Sequence, residues 1–174
     1  MPARTVYTEV RFARLLKTPL VVYGELEYAG ADKLGKTVTA PYRESLSIAD
    51  GQVVLRRDGR AERKFALDRA PELAALLSGF SALLGGDAAA VQRSFALQLA
   101  ENGAKWTLTM TPSDPALGKH LRDMIVDGAD AEPRCFTLHE SNGETSTMLI
   151  GALADAKLPA VPTPAELTEL CRGR

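Results

Sequence analysis

One segment of this sequence is expected to form a helix that carries no charge on either face. From Leu73 to Gly86 there is no Asp, Glu, Lys or Arg, although these residues make up 25% of the chain. The large apolar residues of the segment recur at helical spacing and form one stripe: Leu73, Leu76, Leu77, Phe80, Leu83 and Leu84. The opposite face holds small residues: Ala74, Ala75, Ser78, Ser81 and Ala82. Because neither face favours water, we expect this helix to cover something that the rest of the chain builds.

The rest of the chain predicts short antiparallel strands joined by tight turns. Dipeptides that favour hairpin turns punctuate runs of alternating apolar and polar residues: Asp50-Gly51, Asp58-Gly59, Asn102-Gly103, Asp127-Gly128 and Asn142-Gly143. The ten or eleven predicted strands are Thr8–Leu16, Leu20–Tyr28, Lys36–Tyr42, Glu44–Ala49, Gln52–Arg57, Arg60–Leu67, Phe95–Glu101, Lys105–Thr111, Lys119–Asp127, Cys135–Glu140 and Thr145–Leu153. A short helix is the alternative for Lys119–Asp127, and 29–34 and 113–117 are predicted loops. Such a meander curls into a barrel or half-barrel.

The predicted helices are inserted after the fifth or sixth strand and would lie across the open face of the curled sheet. Pro71 suits a first helical turn, Gly85-Gly86 ends the helix, and Asp87 is the expected N-cap of a second helix, Ala88–Arg93. The predicted lid spans about 70–94. A C-terminal extension, about 155–174, holds a short helix opened by a capping box at Thr163. The 174 residues fit one domain, mainly β with inserted helices, in the α+β class.

Composition narrows the possible partners. The net charge is −1, and Lys and Arg are spread along the chain, so no basic run supports binding to nucleic acid. The longest uncharged segment is too short to span a bilayer. The first residues lack the apolar core of a signal peptide, which indicates either a cytoplasmic protein or a sequence that begins after processing. For Cys135 and Cys171 we expect unpaired thiols, with a disulfide as the alternative.

No catalytic constellation is apparent, so the sequence predicts neither an enzyme nor a cofactor. The motifs of serine hydrolases, zinc proteases, P-loop proteins and dinucleotide-binding proteins are absent. One alternative is a lid-covered ester hydrolase, in which His139 would act with Ser45 or Ser141, because triad partners need not be close in sequence. The residues that could bind a metal show no recognised ligand spacing: His120, Asp123, Asp127, Cys135 and Cys171.

The strands supply an apolar lining. The residues that alternate along them are candidates for the inner face of the curled sheet: Phe12, Val22, Leu26, Tyr28, Leu46, Ile48, Leu97, Leu99, Trp106, Leu108, Met110, Phe136, Leu138, Met148 and Ile150. Aromatic residues make up only 6% of the chain. A wide sheet with few bulky side chains is difficult to fill, which favours a cavity beneath the lid. An ordinary packed core is the alternative.

A resemblance to a known family runs over nearly the whole chain. The residues that carry it keep their order: Tyr7-x-Glu9-x-Arg11, Leu16-x-x-Pro19-Leu20-x-x-x-Gly24-x-Leu26-x-Tyr28, Pro41-x-x-Glu44, Ile48-x-Asp50-Gly51, Leu84-x-Gly86-Asp87 before Phe95, Trp106-x-Leu108-x-Met110-x-Pro112, Asp127-Gly128 and Glu140-x-x-Gly143. By these residues the chain resembles a divergent, short branch of the periplasmic outer-membrane lipoprotein carriers, the LolA-like proteins.

The resemblance implies an unclosed antiparallel β-barrel with a helical lid and a hydrophobic cavity for acyl chains, formed by the stripe and lining residues named above. It implies a periplasmic, monomeric carrier that takes acylated lipoproteins or lipids from an inner-membrane exporter to an outer-membrane acceptor. Other cargoes are a different lipid or a polyene or polyketide acyl product. An interaction module with a filled core is the third class of function that the sequence leaves open.

Two features depart from the family pattern. The better-known carriers have an Arg-Pro pair after the second strand, whose arginine helps to latch the lid, whereas Gly30-Ala31 stands at the matching positions here. Relatives also have a helix before the first strand. We therefore expect that an additional helix and a signal peptide lie upstream of this sequence.

Overall fold

The structure is a computed structural model that describes residues 3–30 and 32–173. Its strands are β1 (Ala3–Phe12), β2 (Leu20–Gly30), β3 (Lys33–Ala40), β4 (Glu44–Ala49), β5 (Gln52–Arg57), β6 (Arg63–Ala66), β7 (Phe95–Asn102), β8 (Lys105–Pro112), β9 (Leu121–Ala129), β10 (Glu132–Glu140) and β11 (Thr145–Ile150). They form one 11-stranded sheet in the order β6-β5-β4-β3-β2-β1-β11-β10-β9-β8-β7. Every pairing is antiparallel.

The strand order places the helices across the open side of this sheet. The first and last strands pair in its middle, from Tyr7 opposite Ile150 to Phe12 opposite Thr145. The two edges are therefore β6 and β7, which are consecutive in the chain and are joined by the segment 67–94. That segment must cross from one edge to the other. The predicted fold class, an unclosed antiparallel barrel with a helical lid, is confirmed, and the lid follows the sixth strand where the fifth or sixth was predicted.

Four α-helices occur within the described residues: α1 (Pro71–Leu84), α2 (Ala88–Val91), α3 (Pro115–Gly118) and α4 (Pro164–Arg172). Pro71 opens α1, where its missing N–H costs nothing. The helix ends at Gly85, whose N–H donates to the Ser81 carbonyl at 3.0 Å. As predicted, the side chain of Asp87 caps α2, since it accepts from the N–H of Ala90 at 3.0 Å. Within the described residues, no helix is long and apolar enough to cross a membrane.

Both faces of α1 are shielded, which explains its lack of charge. The stripe residues Leu76, Leu77 and Phe80 are buried, and so are Ala75 and Ser81 on the small face. The helix therefore lies in the trough of the curled sheet rather than on a flat surface. Small residues on its second face allow the trough walls to approach closely.

The helix α4 packs on the outer face of the sheet, and a disulfide fixes it there. The Sγ atoms of Cys135 and Cys171 are bonded, so the expectation of unpaired thiols is wrong. Alternation points Cys135 of β10 away from the trough, where α4 brings Cys171 beside it. A small outer core surrounds the pair: Val10, Leu149 and Leu167. A separation of 36 residues in the sequence does not show that these two elements meet, so the pairing could not be predicted.

The free backbone N–H and C=O groups at the two ends of α4 find their hydrogen-bond partners in different ways. At its start the predicted capping box is present: the Thr163 hydroxyl accepts from the N–H of Glu166, and the Glu166 carboxylate accepts from the N–H of Thr163. At its end, Arg134 donates to the Leu170 carbonyl and Lys105 donates to the Gly173 carbonyl. Cations at this position also suit the helix dipole.

Several element boundaries differ from the sequence prediction: β6, for example, is Arg63–Ala66 rather than Arg60–Leu67. The first strand is Ala3–Phe12 rather than Thr8–Leu16, because 13–19 turns back as a hairpin loop. The predicted loop 29–34 is mostly strand, since β2 continues to Gly30 and β3 begins at Lys33. Ala31, which with Gly30 matches the family's latch positions, lies outside the described residues. The predicted loop 113–117 contains the start of α3.

The turn after β9 was predicted at Asp127-Gly128, and this prediction is wrong. That strand continues through Gly128 to Ala129, and the turn lies at Asp130, which has a φ of 52°. A Cβ on Gly128 would lie 2.0 Å from Cζ2 of Trp106. This glycine therefore makes room for the indole ring of the neighbouring strand, and the turn follows two residues later. The prediction of a strand rather than a helix for this region is confirmed.

Candidate functional site

The trough is filled beneath the C-terminal half of α1. The Phe80 ring stacks on the Phe136 ring at 4.6 Å between centroids and on the Tyr28 ring at 6.0 Å. A Cβ added to Gly79 would lie 2.3 Å from Cε of Met124 and 3.3 Å from Cε1 of Phe136. At this end the helix backbone is therefore in direct contact with the sheet, and no hollow lies between them. Of the two roles that a mid-helix glycine can have, bending or close packing, the structure shows close packing.

A cavity of about 540 Å³ lies under the N-terminal half of α1. This volume falls within the usual range of small-molecule sites, roughly 300–1,000 Å³. The helix contributes Leu73 and Leu76 to its roof. The apolar residues of its walls come from both halves of the sheet: Phe12, Leu16, Leu46, Leu55, Phe65, Leu138 and Met148. The hollow therefore lies at one end of the trough, between the first six strands and the last two.

One wall of this cavity is charged. Glu9 of β1 accepts from Lys36 of β3 at 2.7 Å and from Arg11 at 3.1 Å. The side chains of Glu9 and Lys36 are 7% and 12% exposed, so this cluster is buried beside the apolar lining. Arg11 also donates to the Tyr42 hydroxyl at 3.2 Å. Charges can be buried in this way only because each has a partner and a hydrogen bond.

The electrostatics of the cluster favour the ionised carboxylate. Burial by itself would raise the pKa of Glu9, but the charges of Lys36 and Arg11 and their hydrogen bonds outweigh it and hold that pKa below its ordinary value. For Arg11, burial lowers the pKa, but the charge and hydrogen bond of Glu9 together with those of Tyr42 outweigh it, so the net direction is upward. Desolvation raises the pKa of neighbouring Tyr7, whose ring lies 5.4 Å from the Lys36 Nζ. At neutral pH this wall therefore carries two cations and one anion.

The opposite side of the cavity mouth is acidic. Glu72 of α1 and Glu140 and Glu144 of the last hairpin line it. Burial, followed by the charges of Glu144 and Glu72, raises the pKa of Glu140 above its ordinary value, and a hydrogen bond from Asn142 opposes the rise. The mouth therefore has a basic half on the β1–β6 side and an acidic half on the β10–β11 side.

The predicted lining residues fall into three groups. Six line the cavity: Phe12, Leu46, Leu73, Leu76, Leu138 and Met148. Others pack in the core that fills the remainder of the trough: Val22, Leu26, Tyr28, Ile48, Leu77, Phe80, Leu83, Leu97, Trp106, Leu108, Met110, Phe136 and Ile150. Two are largely exposed and do not line this cavity, Leu84 at 46% and Leu99 at 58%.

The exposure of Leu84 and Leu99 has a simple geometric cause. Leu84 is the last residue of α1, where the helix leaves the trough. Leu99 lies opposite Leu108 on the inner face of the edge strand β7, but the lid leaves that part of the edge uncovered. Glu9, Arg11 and Lys36 line the cavity but were not among the predicted lining residues. Alternation could have revealed them, because Glu9 and Arg11 share a strand face with buried Tyr7.

The hydrolase alternative finds little geometric support. The Nδ1 atom of His139 is within hydrogen-bonding distance of the Asp123 carboxylate, as in a catalytic triad. The Ser141 hydroxyl, however, donates to the Gly118 carbonyl at 3.0 Å. Ser45 is in β4, which four strands separate from β10. Within residues 3–30 and 32–173, no group of three His, Cys, Asp or Glu side chains could hold a metal ion.

A curled, open antiparallel sheet with a helical lid over an apolar cavity defines a carrier-type fold. The comparison of sequences identifies the family: the profile described as "Outer membrane lipoprotein carrier protein LolA-like" matches residues 1–174. The chain therefore belongs to the LolA-like family, whose members are periplasmic carriers. No curated protein is significantly similar to this chain.

The solved structures to which this chain is similar are distant from it in sequence. A LolA superfamily protein from Nitrosomonas europaea is 9% identical, with a TM-score of 0.47, and the match covers 90% of this chain and 86% of that chain. A chain of the MucA/MucB complex of Pseudomonas aeruginosa is 13% identical, with a TM-score of 0.38 and coverage of 94% and 55%. A chain of MucB in complex with the periplasmic part of MucA is 19% identical, with a TM-score of 0.32 and coverage of 93% and 58%. This chain thus spans little more than half of the latter two.

Proposed function

We propose that this protein is a periplasmic carrier that shelters the acyl chains of lipoproteins or related lipids and moves them from the inner to the outer membrane. The observation that supports this most is the cavity of about 540 Å³ beneath Leu73 and Leu76. It lies at the junction between the lid helix and the sheet, which is where a cargo can enter without unfolding the sheet. Membership of the LolA-like family supports the same proposal.

The gain from enclosing an acyl chain is large enough to drive capture. Each buried CH₂ contributes about 0.8 kcal/mol, so a chain of ~16 carbons would gain on the order of 12 kcal/mol if it were fully enclosed. A carrier that retained all of this free energy would not release its cargo. The affinity must therefore be reduced, and the filled half of the trough supplies a way to reduce it.

The lid itself occupies the site into which a long chain would extend. Phe80 and Gly79 are in contact with Phe136 and Met124, so a chain longer than the open cavity must displace this half of α1. The free energy with which the lid docks on the sheet is therefore subtracted from the free energy of enclosing the cargo. Met110, Met124 and Met148 face the trough and are buried. Their flexible side chains can repack around chains of different shape.

The remaining parts of the proposal follow the family. The protein would act as one carrier domain and as a monomer, without a cofactor or a catalytic step, taking cargo from an inner-membrane exporter and giving it to an outer-membrane acceptor. A different lipid, or a polyene or polyketide acyl product, is the alternative cargo. Extraction and mass spectrometry of material bound to freshly purified protein would decide between them.

Substitutions on the sheet side of the cavity test the acyl site. Leu138→Asp places a carboxylate in the wall, and Leu138→Trp fills the space with apolar atoms; both should weaken binding of a fluorescent fatty acid at least tenfold. Val161→Asp is the matched control, because this exposed residue lies outside the cavity. Equal affinities for all four proteins would reject the cavity as the binding site.

A further inference from the structure

The loop between β1 and β2, residues 13–19, projects two leucines into solvent. Leu15 is 96% exposed and Leu16 is 41% exposed. The Leu16 N–H donates to the Ala13 carbonyl at 3.0 Å, and this turn places Arg14 and Leu15 at its corner. Leu15 therefore contributes almost nothing to the folded core and exposes apolar area that water disfavours. Such exposure of paired large residues at a loop tip indicates a surface that something else covers.

Two cations flank the leucines. Arg14 and Lys17 are both exposed, and no salt bridge joins either of them to a carboxylate of the described residues. Antiparallel topology brings the loops 41–43 and 58–62 to the same end of the sheet. These loops add the exposed cations Arg43 and Arg60 and the exposed anions Asp58 and Glu62, of which Glu62 pairs with Arg56. The leucines thus project from a predominantly basic rim.

The same loop borders the cavity. Ala13 and Leu16 line its mouth together with Phe12. Across the mouth, Glu140 and Glu144 form the acidic half. A negatively charged surface would therefore meet the β1–β6 side of the mouth and be repelled by the other side. The molecule has an orientation in which the leucines and the cavity mouth both point at such a surface.

We infer that the loop 13–19 docks on the surface of a bilayer that contains anionic lipids, with Leu15 inserted among the acyl chains. Arg14 and Lys17 would remain at the depth of the lipid headgroups, as basic residues beside inserted apolar residues do. Two leucines and a few cations give weak, reversible attachment, which suits a protein that must leave the membrane again. Docking of this kind brings the basic side of the cavity mouth to the lipid headgroups, beside the hydrocarbon from which an acyl chain is drawn or into which it is released.

Vesicle binding tests this inference without any cargo, so its outcome is independent of the acyl-binding proposal. Co-sedimentation with vesicles of phosphatidylcholine and phosphatidylglycerol should show binding that weakens with salt and with loss of the anionic lipid. Leu15→Asp should lower the partition coefficient by about 10- to 100-fold, as expected for loss of one inserted leucine. Arg14→Gln with Lys17→Gln should reduce binding mainly to the anionic vesicles. Val161→Ser, which changes an exposed apolar residue elsewhere, should bind like the wild type.

A second measurement reports insertion directly. In Leu15→Trp the new indole should shift its emission to the blue on mixing with anionic vesicles, and brominated acyl chains should quench it. The native Trp106, which packs on Gly128, gives an unchanged background in the wild type. Wild-type protein that binds no vesicle, or a Leu15→Asp variant that binds as well as wild type, would overturn the inference. The first of these results would assign the leucines to a protein partner instead.

Discussion

Gly79 offers a direct test of whether the lid competes with cargo. Its Cβ position lies against Met124 and Phe136, which are 0% and 1% exposed, so an added side chain has no free space. In Gly79→Ala, the gain in helix propensity of about 1 kcal/mol should roughly cancel the displacement of the Met124 methyl group. Gly79→Val adds two further methyl groups to a full core, and overpacking of this kind costs about 1–3 kcal/mol.

The same free energy should appear in ligand binding with the opposite sign. A long chain can enter the filled half of the trough only after α1 has left it. Weaker docking of α1 therefore lowers the free energy that the chain must spend to displace the helix. For 1–3 kcal/mol, the affinity of Gly79→Val for a fluorescent fatty acid should rise by about 5- to 150-fold, while its free energy of unfolding falls by a similar amount. Gly79→Ala should stay close to wild type in both respects.

Urea unfolding and fatty-acid titration, measured on the same preparations, provide the comparison. Gly118→Val is the matched control, because a Cβ there meets open space and the backbone is unstrained. It should leave the affinity unchanged. A Gly79→Val protein that is destabilised but binds the fatty acid with unchanged or lower affinity would refute the competition. The lid would then be part of the binding wall.

Two further predictions concern the buried charges and the disulfide. Glu9→Gln leaves Lys36 and Arg11 without their carboxylate and should lower the free energy of unfolding at neutral pH by about 3–5 kcal/mol. Because folding lowers the pKa of Glu9, its stabilisation is present above the unfolded pKa of ~4.3 and is lost as the pH falls through the lower folded value. The difference in free energy of unfolding between wild type and Glu9→Gln, measured with urea, should therefore become smaller in acid. A difference that does not depend on pH would contradict the ion-pair explanation. Cys135→Ala with Cys171→Ala, which opens a link across 36 residues, should lower the free energy of unfolding by about 3–4 kcal/mol. Acyl affinity should be unaffected, and its loss in protein shown by circular dichroism to be folded would contradict the placement of the cavity on the inner face.

Local sequence signals predicted the turns correctly where a residue type serves a single structural purpose. Asp50 and Gly51 both have positive φ, as the predicted hairpin requires, and Gly103 and Gly143 do the same in later hairpins. Gly128 fails as a turn signal because the position serves packing against Trp106, a contact between neighbouring strands that no local pattern encodes. The strand count and the place of the helical insertion depend on many such signals together, so single errors moved boundaries without changing the fold.

The division of the trough into a filled half and a hollow half could not be predicted. Periodicity places Leu76 and Phe80 on one helix stripe, yet Leu76 roofs the cavity while Phe80 is stacked between rings. The difference arises from what the facing strands present: Phe136 at one end, and the paired charges of Glu9 and Lys36 at the other. No charged residue was among the predicted lining residues, and only the fold shows that Glu9 of β1 and Lys36 of β3 meet from the two sides of β2.

The connection of both sheet edges through a single segment limits how the protein can open. Since 67–94 is anchored to β6 at one end and to β7 at the other, α1 cannot swing away like a door on one hinge. It can only rotate about its own axis or shift outward between its two connections to the sheet. Any cargo that pushes the two sheet edges apart also stretches the segment 67–94 that joins them. Widening of the trough and displacement of α1 are therefore coupled.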